Sequence, residues 1–264
     1  MALWDIKGKL LGAPVHDLLG GRVRERVRVY RNLWGRSPEE FADSAKEAIS
    51  NSMTAVKVSP AGPTPDVISR VQLDEMEAVV SAVRDAVGPA VDLAIDLHGR
   101  LTPAASRRAI HALSKYDPFF IEEPCLPDGS ASHLADLRAL RTAQPVAIAT
   151  GERLRSAHAF AEHLLPSPVV DIIQPDVSMV GGIRASVEIG AMASAAQVAM
   201  APHCPYGPVQ FAASMQVAAT SPAHLIQEFQ SLGGAGSGGG TPGGGQNWAF
   251  ELLSQPFSIE MGHV

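Results

Sequence analysis

The sequence predicts an α/β fold in which parallel strands alternate with helices around a closed barrel. Short runs of β-branched and apolar residues recur eight times and tend to end in a polar or charged residue. Stretches that are rich in alanine, or have apolar residues at helical spacing, lie between them. The chain has 264 residues, and one barrel of this kind takes about 250. The candidate strands are Val27–Tyr30, Ala55–Val58, Val91–Asp96, Phe119–Glu122, Val146–Thr150, Asp171–Gln174, Gln197–Ala201 and Leu225–Glu228.

The segments between these strands carry start and stop signals of helices. Ser37-Pro38-Glu39-Glu40 supplies an N-cap, a proline in the first turn and a capping-box glutamate, and Thr102-Pro103 opens a helix in the same way. Leu73–Val87 is apolar at helical spacing and stops at Gly88-Pro89. The other predicted helices are Leu134–Leu140, His158–Leu165, Ile183–Ala196 and Val209–Ala219. Eight alternating units favour a TIM-type (β/α)8 barrel, with an open doubly wound sheet as the alternative.

Both ends of the chain depart from this alternation. Residues 1–20 predict a single amphipathic helix followed by a turn at Gly20-Gly21. Nine of the 13 residues at positions 233–245 are glycine, which is typical of a flexible linker. We therefore predict a leading helical segment, a barrel domain, and a linker with a short C-terminal segment. These three parts are residues 1–22, 23–230 and 231–264.

Composition excludes several classes of function. Lys and Arg number 21 against 27 Asp and Glu, a net charge of −6 that argues against binding the nucleic-acid backbone. The sequence has no run of 18 apolar residues that could span a membrane, and its N-terminus lacks the pattern of a secretory signal. The two cysteines are too few for a disulfide scaffold and fit a reducing cytoplasm. The composition thus predicts a cytoplasmic protein that neither binds nucleic acid nor spans a membrane.

Ionisable residues follow six consecutive predicted strands, at intervals of one strand–helix unit. They are Asp96, Glu122, Glu152, Asp176, His203 and Glu228. Because the carboxyl ends of barrel strands converge on one mouth, these side chains are expected to face a common centre. Five carboxylates in one place repel one another unless a cation lies among them. Three on neighbouring strands suit a hard divalent ion such as Mg²⁺, which prefers oxygen ligands.

These residues occur in motifs that resemble a known family. The order Ile-Asp-x-His-Gly-Arg, Ile-Glu-Glu-Pro, Thr-Gly-Glu-Arg, Ile-Gln-Pro-Asp, Ala-Pro-His and Ile-Gln-Glu-Phe resembles the enolase superfamily, mandelate racemase subgroup. Within that subgroup the chain is most similar to acid-sugar dehydratases of the D-galactonate dehydratase type. The resemblance runs from about residue 2 to residue 229 and resumes weakly at residues 247–264. It implies a modified (β/α)7β barrel and a homo-oligomer.

The resemblance also implies a role for each motif residue. Asp96, Glu122 and Glu152 would hold Mg²⁺, which would stabilise the enediolate formed when a substrate loses its α-proton. His203 would be the general base, oriented by Asp176. Glu228 would donate a hydrogen bond to the substrate carboxylate, and Lys57 would place positive charge near it. His98 would protonate the leaving 3-hydroxyl, and Glu123 would support the metal ligands.

The sequence departs from the family pattern in two places. Racemases of the superfamily carry Lys-x-Lys on the second strand, whereas this strand reads Val56-Lys57-Val58-Ser59. Without the second lysine a two-base racemisation is disfavoured and a one-base elimination remains, so a dehydratase is the leading prediction. Family members also begin with a capping domain, of which Ala2–Leu19 resembles only the last helix. The alternatives are a racemase or epimerase on the same scaffold, or a truncated barrel without activity.

Overall fold

A single curled sheet of parallel strands forms the centre of the protein. The computed structural model describes residues 1–62, 67–127, 131–230 and 257–264. In that part of the chain the strands are β1 Val29–Asn32, β2 Ala55–Val58, β3 Asp92–Asp96, β4 Ile121–Glu122, β5 Ile148–Thr150, β6 Ile172–Ile173, β7 Ala199–Met200 and β8 Gln227–Phe229. Their spatial order is β7-β6-β5-β4-β3-β2-β1-β8, and every pair is parallel.

The sheet curls until its two edges meet. Met200 at the end of β7 accepts a backbone hydrogen bond from Leu225 and donates one to Ala223, each of 2.8 Å, immediately before β8. The strand order runs around this ring without the reversal that a doubly wound sheet has. The predicted closed barrel is therefore confirmed, and the open alternative is not observed.

Helices fill each interval between successive strands. The two that precede β1 are α1 Ala2–Leu11 and α2 Val15–Leu18, and the seven that connect strands are α3 Pro38–Ser50, α4 Arg70–Val87, α5 Pro103–Leu113, α6 Ala131–Ala143, α7 Ala157–Leu164, α8 Ile183–Ala195 and α9 Pro208–Thr220. A 3-10 turn at Ser114–Tyr116 follows α5. The described residues thus have the (β/α)7β topology that the sequence predicted. Among them, no helix is long and apolar enough to cross a membrane.

Several sequence-based boundaries need correction. Residues 1–20 do not form one helix. Helix α1 is capped by Gly12, and α2 begins only after Pro14, which lacks an amide proton. The first strand begins two residues later than predicted and includes Asn32. Helix α4 begins at Arg70, where Ser69 and Gln72 form a complete capping box.

The predicted cap of α3 forms only in part. Ser37 accepts a hydrogen bond from the amide of Glu40, as expected, but the Glu40 carboxylate bonds to the amide of Arg36 instead of Ser37. The division into residues 1–22, 23–230 and 231–264 stays a prediction. The glycine-rich stretch lies outside the described residues.

The barrel interior is built in layers. Its lower layer takes one apolar residue from in or beside each strand, and these residues are Tyr30, Ala55, Ala94, Phe120, Ala149, Ile172, Ala201 and Ile226. Side chains alternate between the two faces of a strand, so the residue two positions further on points into the barrel above this floor. Those residues are Asn32, Lys57, Asp96, Glu122, Gln174, His203 and Glu228; the exception is Gly151, where a Cβ would instead meet Phe160 of α7. The fold therefore places a polar layer on an apolar floor at the carboxyl ends of the strands.

The last described residues pack beside β1 and α9. Val27, just before β1, exchanges two backbone hydrogen bonds with Val264, of 3.0 and 2.9 Å. Phe257 packs edge-on against Phe211 of α9, with ring centroids 4.8 Å apart. Residues 262–264 therefore lie at the amino end of β1, whereas Phe257 lies near the carboxyl end of β8, because Phe211 also packs against Phe229.

Candidate metal and acid–base site at the barrel mouth

Three carboxylates from neighbouring strands meet at the mouth. Asp96 ends β3 and pairs in register with Glu122 of β4, and Glu152 follows β5 after Gly151. Among the described residues, this is the group of His, Cys, Asp or Glu side chains whose ligand atoms lie close enough to hold a metal, all within 4.8 Å of one another. The sequence predicted these three residues as the cluster, and the structure brings them together.

The electrostatics of this cluster favour a bound cation. Burial raises the pKa of Asp96 to about 6, and Glu152 adds to the effect by repulsion. Burial also raises the pKa of Glu122, whose Oε1 is buried and has no hydrogen-bond partner among the described residues. An unpaired carboxylate oxygen in a buried site is costly unless something positive approaches it. All donors in the cluster are oxygens, the ligand type that Mg²⁺ prefers, so the residues fit such an ion.

Lys57 supplies the positive charge that the structure shows among these carboxylates. Its Nζ lies 2.8 Å from Glu122, 3.1 Å from Glu228 and 3.8 Å from Asp96. Burial alone would lower the pKa of Lys57, but these carboxylates outweigh it and raise the pKa well above its usual value. The ammonium also lies over the ring of Tyr30, 5.2 Å from its centroid. Lys57 is therefore a permanent cation facing the centre of the mouth.

A histidine–aspartate pair lies on the opposite wall. His203 Nδ1 is 2.8 Å from Oδ2 of Asp176, which is fully buried, and His203 Nε2 is 3.5 Å from Glu152. Burial lowers the pKa of His203, but Glu228, Asp176 and Glu152 outweigh it and raise the pKa to about 9. A carboxylate only accepts hydrogen bonds, so Nδ1 carries the proton and Nε2 faces the mouth. With a pKa of about 9 the ring also carries a proton on Nε2 near neutral pH, and it must lose that proton before it can act as a base.

Glu228 is surrounded by donors. Its Oε1 accepts from Asn32 Nδ2 at 2.6 Å, and its Oε2 accepts from the backbone amide of Cys204 at 2.5 Å. Burial alone would raise the pKa of Glu228, but Lys57 and His203 outweigh it and lower the pKa. To donate a hydrogen bond to a substrate carboxylate, as the resemblance implies, Glu228 would first have to take up a proton. The donors around it favour the anion.

His98 lies at the rim of the same cluster. Its Nε2 is 3.1 Å from Oδ2 of Asp96, and 36% of its side chain is exposed. Burial, followed by Lys57 and Arg100, lowers the pKa of His98 to about 4. As a neutral ring that donates from Nε2 to Asp96, His98 must turn or exchange partners before it can protonate a leaving hydroxyl.

Glu123 lies behind the metal-ligand cluster instead of in it. Its Oε1 accepts hydrogen bonds from Thr150, at 2.5 Å, and from the amide of Gly151, at 3.0 Å. Burial raises its pKa to about 7. Arg153 lies 3.4 Å from Glu123 and 3.1 Å from Glu152, so it links the two carboxylates. Glu123 thus braces the segment that carries Glu152.

The nine predicted site residues all join one network of contacts, and four residues beyond them lie in it or beside it. Arg153 also donates to the carbonyl of His98 at 3.0 Å, and Tyr206 packs edge-on against His203 with centroids 6.1 Å apart. Gln174 is buried in the polar layer, with neither amide atom hydrogen-bonded in the structure. The fourth is Asn32. Arg153 could have been predicted because it is the last residue of the Thr-Gly-Glu-Arg motif. Asn32 could have been predicted because it follows Tyr30 by two positions and so shares its face of the strand.

Charged side chains that meet at the carboxyl ends of barrel strands are the site architecture of (β/α)8-barrel enzymes. The family follows from the sequence: residues 40–264 match the family described as "Enolase C-terminal domain-like", and the chain belongs to that family. Two solved structures named mandelate racemase/muconate lactonizing enzyme superpose on 98% of the chain. The one from Jannaschia sp. CCS1 has TM-score 0.85, 31% identity and 66% of its own length covered. The one from Sulfitobacter sp. has TM-score 0.86, 33% identity and 64% covered.

Curated relatives carry names of sugar-acid dehydratases. The chain is 37% identical to "D-gluconate dehydratase" of Thermoproteus tenax over 268 aligned residues, which cover 100% of the chain and 50% of that protein. It is 39% identical to "D-galactonate dehydratase" of Variovorax paradoxus (strain S110) over 232 residues, 88% of the chain and 59% of that protein. The chain therefore spans between half and two thirds of the length of these curated relatives.

Proposed function

We propose that this barrel is the catalytic part of a Mg²⁺-dependent sugar-acid dehydratase that converts an aldonate to a 2-keto-3-deoxy acid. The observation that carries the proposal is the meeting of the carboxylate cluster with the His203–Asp176 pair, whose Nε2 lies 3.5 Å from Glu152. The names of the curated relatives, "D-gluconate dehydratase" and "D-galactonate dehydratase", support an aldonate as the substrate class.

In this proposal Asp96, Glu122 and Glu152 would hold the metal ion. When bound, Mg²⁺ supplies Lewis-acid stabilisation of the negative charge that develops on a carboxylate substrate as its α-proton leaves. Lys57 faces the same centre as a buried cation and would attract and orient the substrate carboxylate. Glu228 would keep the Lys57 ammonium in place, 3.1 Å away.

The proton transfers would use the two histidines at the mouth. His203 Nε2 would take the proton from C2, while Asp176 holds Nδ1–H and stabilises the imidazolium that forms. His98 would give a proton to the 3-hydroxyl, which leaves as water. The electrons of the broken C2–H bond form the C2–C3 double bond, and the resulting enol converts to the 2-keto-3-deoxy acid.

The serine that follows β2 favours elimination over racemisation. Racemisation by two bases needs a second base on the opposite face of the α-carbon, and position 59, after β2, holds serine. The epimerase alternative would therefore have to use His203 alone.

The test combines the protein with Mg²⁺ and a panel of aldonates and follows 2-keto-3-deoxy acid formation. The proposal expects product from at least one aldonate, no product when the metal is chelated, and loss of activity in His203→Asn. His111→Asn, at an exposed site on α5, is the matched control and should retain activity. Epimer interconversion without elimination would support the epimerase instead. Absence of any reaction with a folded, Mg²⁺-binding chain would support the inactive barrel.

A further inference from the structure

Asn32 is the residue that β1 contributes to the polar layer. It is paired in register with Lys57 of β2, and it follows Tyr30, which belongs to the apolar floor, by two positions. Its side chain therefore points into the barrel, where Nδ2 lies 2.6 Å from Glu228 Oε1. Asn32 is thus in direct contact with a carboxylate at the centre of the mouth.

The orientation of the Asn32 amide follows from its partner. The Glu228 carboxylate offers only acceptors, so the NH₂ group must face it and Oδ1 must turn away. That Oδ1 is buried and has no hydrogen-bond partner in the structure. A buried amide oxygen without a partner is unfavourable, so a donor group on a bound ligand would be favoured there. An aldonate carries a hydroxyl group on every carbon beyond the carboxylate and can supply such a donor.

We propose that Asn32 is a positioning residue that fixes Glu228 through its NH₂ group and accepts a hydrogen bond from a substrate hydroxyl at Oδ1. The second half of this inference rests on the proposed function, because it requires a polyhydroxy acid in the mouth. The first half does not, since the contact between Asn32 and Glu228 is made by the chain alone. Each half therefore has its own measurement.

The first measurement follows the side-chain carboxyl carbon of Glu228 by NMR as the pH is varied. Asn32→Ala removes a hydrogen bond that favours the Glu228 anion, so the pKa of Glu228 should rise, by on the order of one unit. Asn32→Ser, which has a hydroxyl donor in place of the amide, should raise the pKa of Glu228 less than Asn32→Ala does. Asn51→Ala, at the exposed C-terminal end of α3, is the control and should leave the titration unchanged. An unchanged titration in a folded Asn32→Ala protein would overturn the positioning role.

The second measurement is calorimetric binding of D-gluconate and D-galactonate in the presence of Mg²⁺. Asn32→Ala should weaken binding of a recognised aldonate about tenfold, and Asn51→Ala should not. Equal affinity of wild type and Asn32→Ala would overturn the hydroxyl contact while leaving the proposed function intact. If the wild-type protein binds no aldonate, the proposed function and the hydroxyl contact fail together, and the Glu228 titration still decides the positioning role.

Discussion

Single residues at the mouth act through the charge of their neighbours. Lys57 is 4% exposed and Glu122 is fully buried, so neither charge is screened by bulk water. Removing one partner of such a pair leaves an uncompensated buried charge, which typically costs about 3–5 kcal/mol. Truncation of Lys57 or Glu122 therefore confounds catalysis with folding, and substitutions of the two histidines separate the chemical steps more cleanly.

The two histidines should separate proton abstraction from elimination. In deuterated water, His203→Asn should lose both exchange of the α-proton of an aldonate and product formation, each by about 100-fold or more. His98→Asn should lose product formation by a similar factor and keep exchange within a few-fold, because in the proposed reaction His98 would act only on the leaving hydroxyl. Proton NMR of the substrate follows both reactions at once. Equal loss of exchange in the two variants would contradict the separate roles.

A buried histidine far from the mouth should make stability depend on pH. His224, just before β8, is 9% exposed, and burial, with a smaller effect of Arg24, lowers its pKa to about 3. The ordinary histidine pKa is about 6.5, so at pH values between the two the unfolded chain binds one more proton than the folded chain. The free energy of unfolding should thus fall as pH falls below about 6.5, by about 1.4 kcal/mol per pH unit.

Urea unfolding between about pH 7 and about pH 5 measures this dependence. His224→Asn should reduce the loss of stability over this interval by about 2 kcal/mol. His158→Asn, at an exposed site on α7, is the control and should not alter it. Identical pH profiles for wild type and His224→Asn would show that His224 does not resist protonation in the folded state.

At the scale of elements, the ends of the strands decide where the functional side chains point. Gly151 links β5 to Glu152 with φ of 135°, a backbone conformation that other residues rarely adopt. A Cβ at this position would lie 2.8 Å from the Phe160 ring and 3.0 Å from the amide of Gln174. Gly151 thus leaves room for the packing of α7 against the barrel and sets the direction of Glu152.

Gly151→Ala should therefore destabilise the fold, by about 1–3 kcal/mol, and also weaken the response to Mg²⁺ by displacing Glu152. Gly20→Ala is the matched control, because Gly20 has φ of 116° but a Cβ there would meet no atom of a non-neighbouring residue within 4 Å. It should lose stability through backbone strain alone and keep the Mg²⁺ response. Thermal unfolding with and without Mg²⁺ distinguishes the two. An unimpaired Mg²⁺ response in Gly151→Ala would contradict the role of this turn.

Sequence patterns predicted the elements better than they predicted their ends. All eight strands and the helices between them follow from hydrophobic periodicity, and the charged motifs at strand ends located the three cluster carboxylates and His203. Asn32 was missed because the predicted first strand stopped at Tyr30, before the residue that faces the mouth. Gln174 was missed because its significance lies in burial without a partner, which depends on packing from several strands. The break between α1 and α2 was missed because apolar spacing continues across Pro14.

At the scale of the whole molecule, the apolar floor and the polar layer divide stability from function. The floor takes one buried residue from in or beside each strand, and hydrophobic contacts there hold the barrel closed beneath the charges. The polar layer then gathers carboxylates whose mutual repulsion a divalent ion would relieve. Ion binding should accordingly stabilise the whole barrel, by about 2.7 kcal/mol at a concentration 100 times the dissociation constant.

Titration of the protein with Mg²⁺ by calorimetry, paired with a thermal melt, shows whether the carboxylate cluster binds a metal ion. We expect one ion bound per chain, a raised Tm, and loss of both effects in Asp96→Asn, with Asp85→Asn on the exposed face of α4 behaving as wild type. Absence of binding heat together with an unchanged Tm at millimolar Mg²⁺, in a protein that is folded, would contradict this expectation.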